Sequence, residues 1–220
     1  MLCRLVRSTL AVLVAAALLG GCGGGGSGVA PGPFGFLVFA SGLSNPTSLA
    51  WGPDGRLYVA ELGGAIRRIT PGNPPTINTF ANGFTAPLGI AWRGSVLWVS
   101  SRGIISTLQD NNADGVSDVR NDVITGLPNG LHQNDGLAFS QVDGMGYFGN
   151  GSKSDAGSPA EEPFNATVLR FDPANPQGTL EIFATGMRNV YDVAFNLAGE
   201  LFGCDNGIDA GSILRRYRIG

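Results

Sequence analysis

Phe39-Ala40-Ser41-Gly42-Leu43, then Leu49-Ala50-Trp51, then Gly55-Arg56-Leu57-Tyr58-Val59-Ala60: this phrase decides the fold, because it returns three more times. It returns as Phe80-Ala81-Asn82-Gly83-Phe84, Ile90-Ala91-Trp92 and Leu97-Trp98-Val99-Ser100. It returns again as Ile124-Thr125-Gly126-Leu127, Leu137-Ala138-Phe139 and Gly146-Tyr147-Phe148-Gly149. The last copy is Phe183-Ala184-Thr185-Gly186-Met187, Val193-Ala194-Phe195 and Gly199-Glu200-Leu201-Phe202-Gly203. The marker glycines Gly42, Gly83, Gly126 and Gly186 stand 41, 43 and 60 residues apart. Short apolar runs recurring at about 40–45 residues are the pattern of propeller blades.

Each copy has the same grammar. A Gly-Leu turn leads into a first strand: Ser48 to Trp51, Gly89 to Trp92, Gly136 to Phe139, Asp192 to Phe195. A tight turn such as Pro53-Asp54-Gly55 returns the chain into a second, aromatic and β-branched strand. Third strands are expected at Ala65 to Ile69, Ile104 to Leu108, Thr167 to Phe171 and Ser212 to Tyr217. Fourth strands are expected at Ile77 to Phe80, Val119 to Ile124 and Thr179 to Phe183. A sheet of this kind cannot bury both faces alone, so neighbours must stack around an axis. The expectation is an all-β chain: a β-propeller of four-stranded antiparallel blades, about four of them. An open arc leaves a bare edge and an uncovered blade face, which makes a truncated or frameshifted product the favoured explanation.

The N-terminus reads as export machinery. Arg4 and Arg7 precede an apolar stretch, Leu10 to Leu19, that is short for a membrane span. Leu19-Gly20-Gly21-Cys22 has the form of a bacterial lipobox, so residues 1–21 are expected to be a lipoprotein signal peptide and Cys22 the lipidated residue. The Gly-, Ser- and Pro-rich residues 22–35 then form a tether, and residues 36–220 the partial propeller. The protein is expected outside the cytoplasm, lipid-anchored at a membrane surface or the cell surface. With Cys3 and Cys22 assigned there, Cys204 stands alone and no internal disulfide is possible. A formal charge of −3 with scattered basic residues excludes a nucleic-acid surface.

Several positions could carry chemistry. His132, the one histidine of the chain, precedes a first strand, where propeller loops face the central channel; an imidazole there can take a proton near neutral pH. Arg188-Asn189 holds the same place one repeat later, and a guanidinium suits a carboxylate or quinone oxygen. Asp110, Asn112, Asp114 and Asp118 stand at positions 1, 3, 5 and 9 of a calcium-loop pattern, with Gly115 at 6 and Asn121 where an acidic residue usually closes the set. Gly149 to Asn165 is a polar insertion between second and third strands. Asn165-Ala166-Thr167 matches a glycosylation sequon by accident in a bacterial-type lipoprotein.

The ordered motifs around His132-Gln133-Asn134, Ala166-Thr167-Val168-Leu169-Arg170, Gly186-Met187-Arg188-Asn189 and Asp205-Asn206-Gly207 resemble the glucose/sorbosone dehydrogenase family. Those are pyrroloquinoline quinone (PQQ)-dependent sugar dehydrogenases on a six-bladed propeller, and the resemblance covers roughly residues 36–210. It implies His132 as the base that takes a sugar hydroxyl proton while hydride passes to PQQ. It implies Arg188 and Asn189 as cofactor-binding residues, with the arginine polarising the quinone carbonyl. It places Gly207 and Ile208 where backbone carbonyls hold the calcium (Ca2+) that activates PQQ. A sugar and an electron acceptor are the implied partners. Leu131 stands where the family often has an acidic residue, Phe84 or a neighbour where the glucose enzymes have a glutamine, and the clamping residues of later blades would lie beyond Gly220. The competing reading is a non-catalytic propeller that binds a protein or glycan. A propeller hydrolase would need several acidic channel ligands, and only Glu61 and Asp205 offer themselves.

Overall fold

The computed structural model describes residues 37–155, 162–207 and 212–217. The segments expected to be a signal peptide and a tether, with Cys22, and also Ile208, lie outside the described residues. Blade 1 is β1 (Pro46–Trp51), β2 (Leu57–Glu61), β3 (Ile66–Thr70) and β4 (Thr76–Ala81). Blade 2 is β5 (Gly89–Arg93), β6 (Val96–Ser101), β7 (Ile104–Gln109) and β8 (Val119–Ile124). Blade 3 is β9 (Asn134–Phe139), β10 (Gly146–Asn150), β11 (Thr167–Phe171) and β12 (Glu181–Thr185). Blade 4 shows β13 (Val190–Phe195), β14 (Leu201–Asn206) and β15 (Ser212–Tyr217). Each sheet pairs its strands in chain order, all antiparallel, and the four sheets are blades of a β-propeller.

First strands approach one another from blade to blade, β1 to β5, β5 to β9 and β9 to β13, so they are the inner strands. Apolar residues fill the gaps between blades. Tyr58, Phe80, Ile90, Val99 and Leu108 join blades 1 and 2. Trp98, Ile105, Phe148, Leu169 and Phe171 join blades 2 and 3. Tyr147, Val168, Val190, Val193 and Leu201 join blades 3 and 4. The burial that stabilises each sheet is therefore supplied by its neighbour.

One backbone hydrogen bond recurs in every blade. The residue closing the second strand donates its N–H to the carbonyl of the loop ahead of the first: Leu62 to Asn45 (3.0 Å), Arg102 to Thr85 (2.9 Å), Gly151 to Gln133 (2.8 Å) and Asn206 to Asn189 (2.8 Å). Loops preceding the inner strands are thus held at one end of the channel. A second device repeats in alternate blades: Tyr58 donates to Asp54 at 3.0 Å and Tyr147 to Asp143 at 2.6 Å. Burial, then the partner carboxylate, pushes both phenols up to about 12. The aspartate of the tight turn thereby secures the aromatic of the next strand.

Asn134 ties blade 3 to blade 2. Fully buried, it donates to Ser100 Oγ (2.8 Å), Ser101 O (2.7 Å) and Ile104 O (3.1 Å), and accepts from Gly103 N (2.7 Å). Replacing it with leucine strands the buried Gly103 N–H and two carbonyls, so Asn134→Leu is expected to cost about 3 kcal/mol. Urea unfolding followed by tryptophan fluorescence measures it, with a midpoint shift at constant slope.

Candidate functional site

The loops ahead of β9 and β13 meet at the end of β10. His132 N donates to Ser152 O at 3.2 Å, and Ser152 N donates to Arg188 O at 2.7 Å. One residue of the insertion thus holds both loops. Gly151 sits in the seam, where a Cβ would lie 2.5 Å from Asn189 Oδ1 and 2.5 Å from His132 Cβ. The second loop is pinned by Asp205, whose buried Oδ1 accepts from Arg188 N (3.0 Å) and Asn189 N (2.9 Å). Glu61 plays the matching part in blade 1, accepting from Ser44 N at 2.8 Å and Arg67 Nε at 2.8 Å. Both acids are spent on their own loops.

Imidazole and guanidinium therefore share one end of the fold, as the two repeats suggested. Burial, and then the Arg188 charge, hold His132 below the ordinary histidine range, while Asp155 works in the opposite direction. A neutral imidazole at neutral pH can accept a proton. His132 Nε2 and Asn189 Oδ1 are both buried without a hydrogen-bond partner. The Arg188 guanidinium donates from Nε to Asp155 O (2.8 Å) and from Nη1 to Asn206 O (3.1 Å), and pairs with the Asp155 carboxylate through Nη2.

Leu131 is exposed and offers His132 no acidic partner; Asp155, within the insertion, supplies the nearby negative charge. Phe84 is a core residue under the Arg120 guanidinium, 4.1 Å from the ring centroid, and does not reach this site. Gly207 ends the β14 side of the site, adjoining Asn206, whose carbonyl accepts from Arg188. Asp110, Asn112, Asp114 and Asp118 lie apart from it, in the loop between β7 and β8. There Asp118 Oδ2 accepts from Asn111 N (2.7 Å), Asp110 Oδ2 from Gly115 N (2.8 Å) and Asp114 Oδ1 from Val116 N (2.8 Å). Among the described residues no group of three His, Cys, Asp or Glu could hold a metal ion.

Fold and site together define a β-propeller with a polar cluster at the mouth of its channel. The chain belongs to the family described as "Domain of unknown function (DUF7133)", whose model matches residues 70–217. No curated protein matches it. Among solved structures it is similar to the PQQ-bound form of the aldose sugar dehydrogenase of Streptomyces coelicolor, at 22% identity and a TM-score of 0.72, over 83% of this chain and 62% of that one. The holo PQQ domain of Coprinopsis cinerea pyranose dehydrogenase matches at 19% identity and 0.66, over 81% and 49%. A luciferin-regenerating enzyme also matches, at 13% identity and 0.58, over 78% and 61%. These likenesses show the propeller fold, which carries more than one chemistry. This chain spans between about half and two thirds of those chains' lengths.

Proposed function

We propose that the protein is a PQQ-dependent sugar dehydrogenase-type propeller in which His132 takes the proton of a sugar hydroxyl. The observation that carries this reading is the pair of buried, unpartnered atoms, His132 Nε2 and Asn189 Oδ1, on two residues that both close on Gly151, the histidine through its Cβ. Such atoms cost free energy unless something polar reaches them. A hydroxylated substrate can donate to such acceptors, and the Arg188 guanidinium can donate to a quinone oxygen, so the residues fit.

PQQ, when bound, would supply the hydride acceptor. His132, kept neutral by burial and by Arg188, would hold the hydroxyl proton at Nε2. Arg188 would lend positive charge to a quinone oxygen once its guanidinium turns from Asp155. Asn189, clamped through its backbone by Asp205, would orient the cofactor. Carbonyls of Gly207 and Ile208 would hold the calcium that accompanies PQQ, and the Asp110–Asp118 loop a structural calcium. Similarity to sugar dehydrogenases supports an aldose as substrate, with an external electron acceptor. A lipid on Cys22 would tether the domain at the periplasmic face of a membrane or the cell surface.

The test is reconstitution with PQQ and Ca2+, followed by aldose-dependent reduction of a redox dye. His132→Ala is expected to lower turnover about 100-fold or more while cofactor absorbance stays with the protein. Unchanged turnover removes His132 from the reaction. A non-catalytic binding propeller is favoured by one feature, the Arg188 guanidinium already engaged by Asp155 and Asn206. It predicts no dye reduction at any PQQ concentration.

A further inference from the structure

The inner strands differ from one another at their first residues, on the axis. Register aligns Ser48 in β1, Gly89 in β5 and Asp192 in β13, which pair with Ala60, Ser100 and Cys204; the sequence repeat puts Gly136 there in β9. One residue earlier stand Thr47, Leu88, Asp135 and Tyr191. Blades 3 and 4 alone among the four therefore bring carboxylates to this ring. The register of β9 and β13 shifts at these residues, as it does in β1. Such bulges re-aim side chains.

Asp135 is 1% exposed, and its Oδ2 has no hydrogen-bond partner. Asp192 crosses over the neighbouring Gly136, where a Cβ would overlap Asp192 Oδ1. That close approach is possible because position 136 is glycine. Asp192 and Tyr191 line an axial cavity of about 320 Å³ with Thr47, Ser48 and Leu88. Among the described residues no lysine or arginine pairs with either carboxylate. Asp192 faces this water-accessible space, and Asp135 is buried within its electrostatic reach, with no described cationic side chain paired to either.

We propose that Asp135 and Asp192 bind a hard divalent cation of calcium size at the wall of the axial cavity. Calcium takes six to eight oxygen ligands in irregular geometry. Two carboxylates provide up to four, and the cavity has room for roughly ten waters at about 30 Å³ each to complete the shell. The cation satisfies the orphaned oxygen of Asp135 and cancels its repulsion with Asp192. Without it, burial and the Asp192 charge push Asp135 up to about 8, so a proton occupies the pair at neutral pH. This site is separate from the Asp110–Asp118 loop and from Gly207, and it does not rest on the quinone reading.

The experiment titrates chelator-treated protein with terbium, reading emission sensitised by Tyr191, and then displaces terbium with Ca2+. An Asp118→Asn background silences the β7–β8 loop. Sensitised emission and a Ca2+-dependent rise in melting temperature are expected in that background. Asp192→Asn should weaken both titrations at least tenfold. Tyr191→Phe should dim the emission yet leave the Ca2+-dependent melting shift in place. Equal Ca2+ responses with and without Asp192→Asn would overturn the site and leave the pair as a proton-sharing couple. Asp135→Asn repeats the test from the buried side; should that variant not fold, the cavity-facing Asp192→Asn decides alone.

Discussion

Gly149→Ala is expected to open the junction between blades 3 and 4 and lower stability by about 4 kcal/mol or more. Gly149 sits in the middle of β10, paired with Val168, and the flank of its Cα faces the start of β13. A Cβ there would collide with the carbonyl oxygen of Val190 and lie 2.8 Å from Val190 Cβ. Neither neighbour can step aside. Val190 is fully buried in the interblade core, and its backbone continues from Asn189, which Asp205 holds. Relief requires β13 to move away from β10, which uncovers Tyr147, Val168 and Leu201. Overpacking of a buried core alone costs about 1–3 kcal/mol, and lost interblade burial adds to that.

Gly63→Ala is the control. That glycine has a free flank and no positive φ, so its substitution should stay within about 0.5 kcal/mol of the parent. Denaturant midpoints for the two variants separate close approach from a general effect of removing glycine. Because Val190 adjoins Asn189, Gly149→Ala should also weaken whatever the His132–Asn189 cluster binds. Equal midpoints for the two variants would mean that the blade junction yields more easily than its packing indicates.

The blade architecture was legible in the sequence because a propeller writes it four times. Eleven to fourteen residues of grammar per repeat outweigh any local ambiguity. Errors fall at strand ends, where side chains chose turns over ladders. The fourth strand of blade 3 was expected from Thr179 and begins at Glu181. Thr179 Oγ1 instead accepts from Asp172 N (2.8 Å) and donates to Asn175 O (2.8 Å), closing the loop before β12. Ala65 was expected in β3, yet its carbonyl accepts the Glu61 N–H at 2.8 Å and belongs to the hairpin turn.

The site divides the same way. His132, Arg188 and Asn189 could be found because equivalent repeats hold simple turns at those places. Ser152 and Asp155 could not, since they act from an irregular insertion, one through its backbone and the other across blades. Gly151 shares its place after the second strand with Leu62 and Arg102, and its role shows only in the backbone bond that recurs there. Nothing in Asn134-Asp135-Gly136 as a sequence marks Asp135 as isolated. Its isolation exists only once β13 folds over Gly136.

That isolation sets the second large effect: in chelator, Asp135→Asn is expected to gain on the parent protein as pH rises, by several kcal/mol at pH 8.5. The sign follows from proton binding. The Asp135 carboxyl is raised to about 8 in the fold by burial, then by Asp192; its unfolded value is about 3.9. Between those values the folded chain keeps a proton that the unfolded chain has released. Stability is therefore fully present below about pH 4 and is lost as pH climbs to about 8, where the slope ends. Each unit corresponds to about 1.4 kcal/mol, so four units bound the loss near roughly 5 kcal/mol, and Asp192, also raised by burial, works in the same direction. His132 works the other way: lowered in the fold, it makes stability rise with pH through the ordinary histidine range. The asparagine variant keeps the His132 contribution and removes that of Asp135, so the difference between the two proteins isolates the carboxyl. An asparagine amide can also donate to Asp192, which a deprotonated Asp135 cannot. Melting temperatures taken from pH 4.5 to 8.5 should start close together and end about 5–10 °C apart, with the variant higher. Parallel curves across that range would show that Asp135 ionises normally in the folded protein, and with that the unpartnered oxygen would lose its energetic consequence.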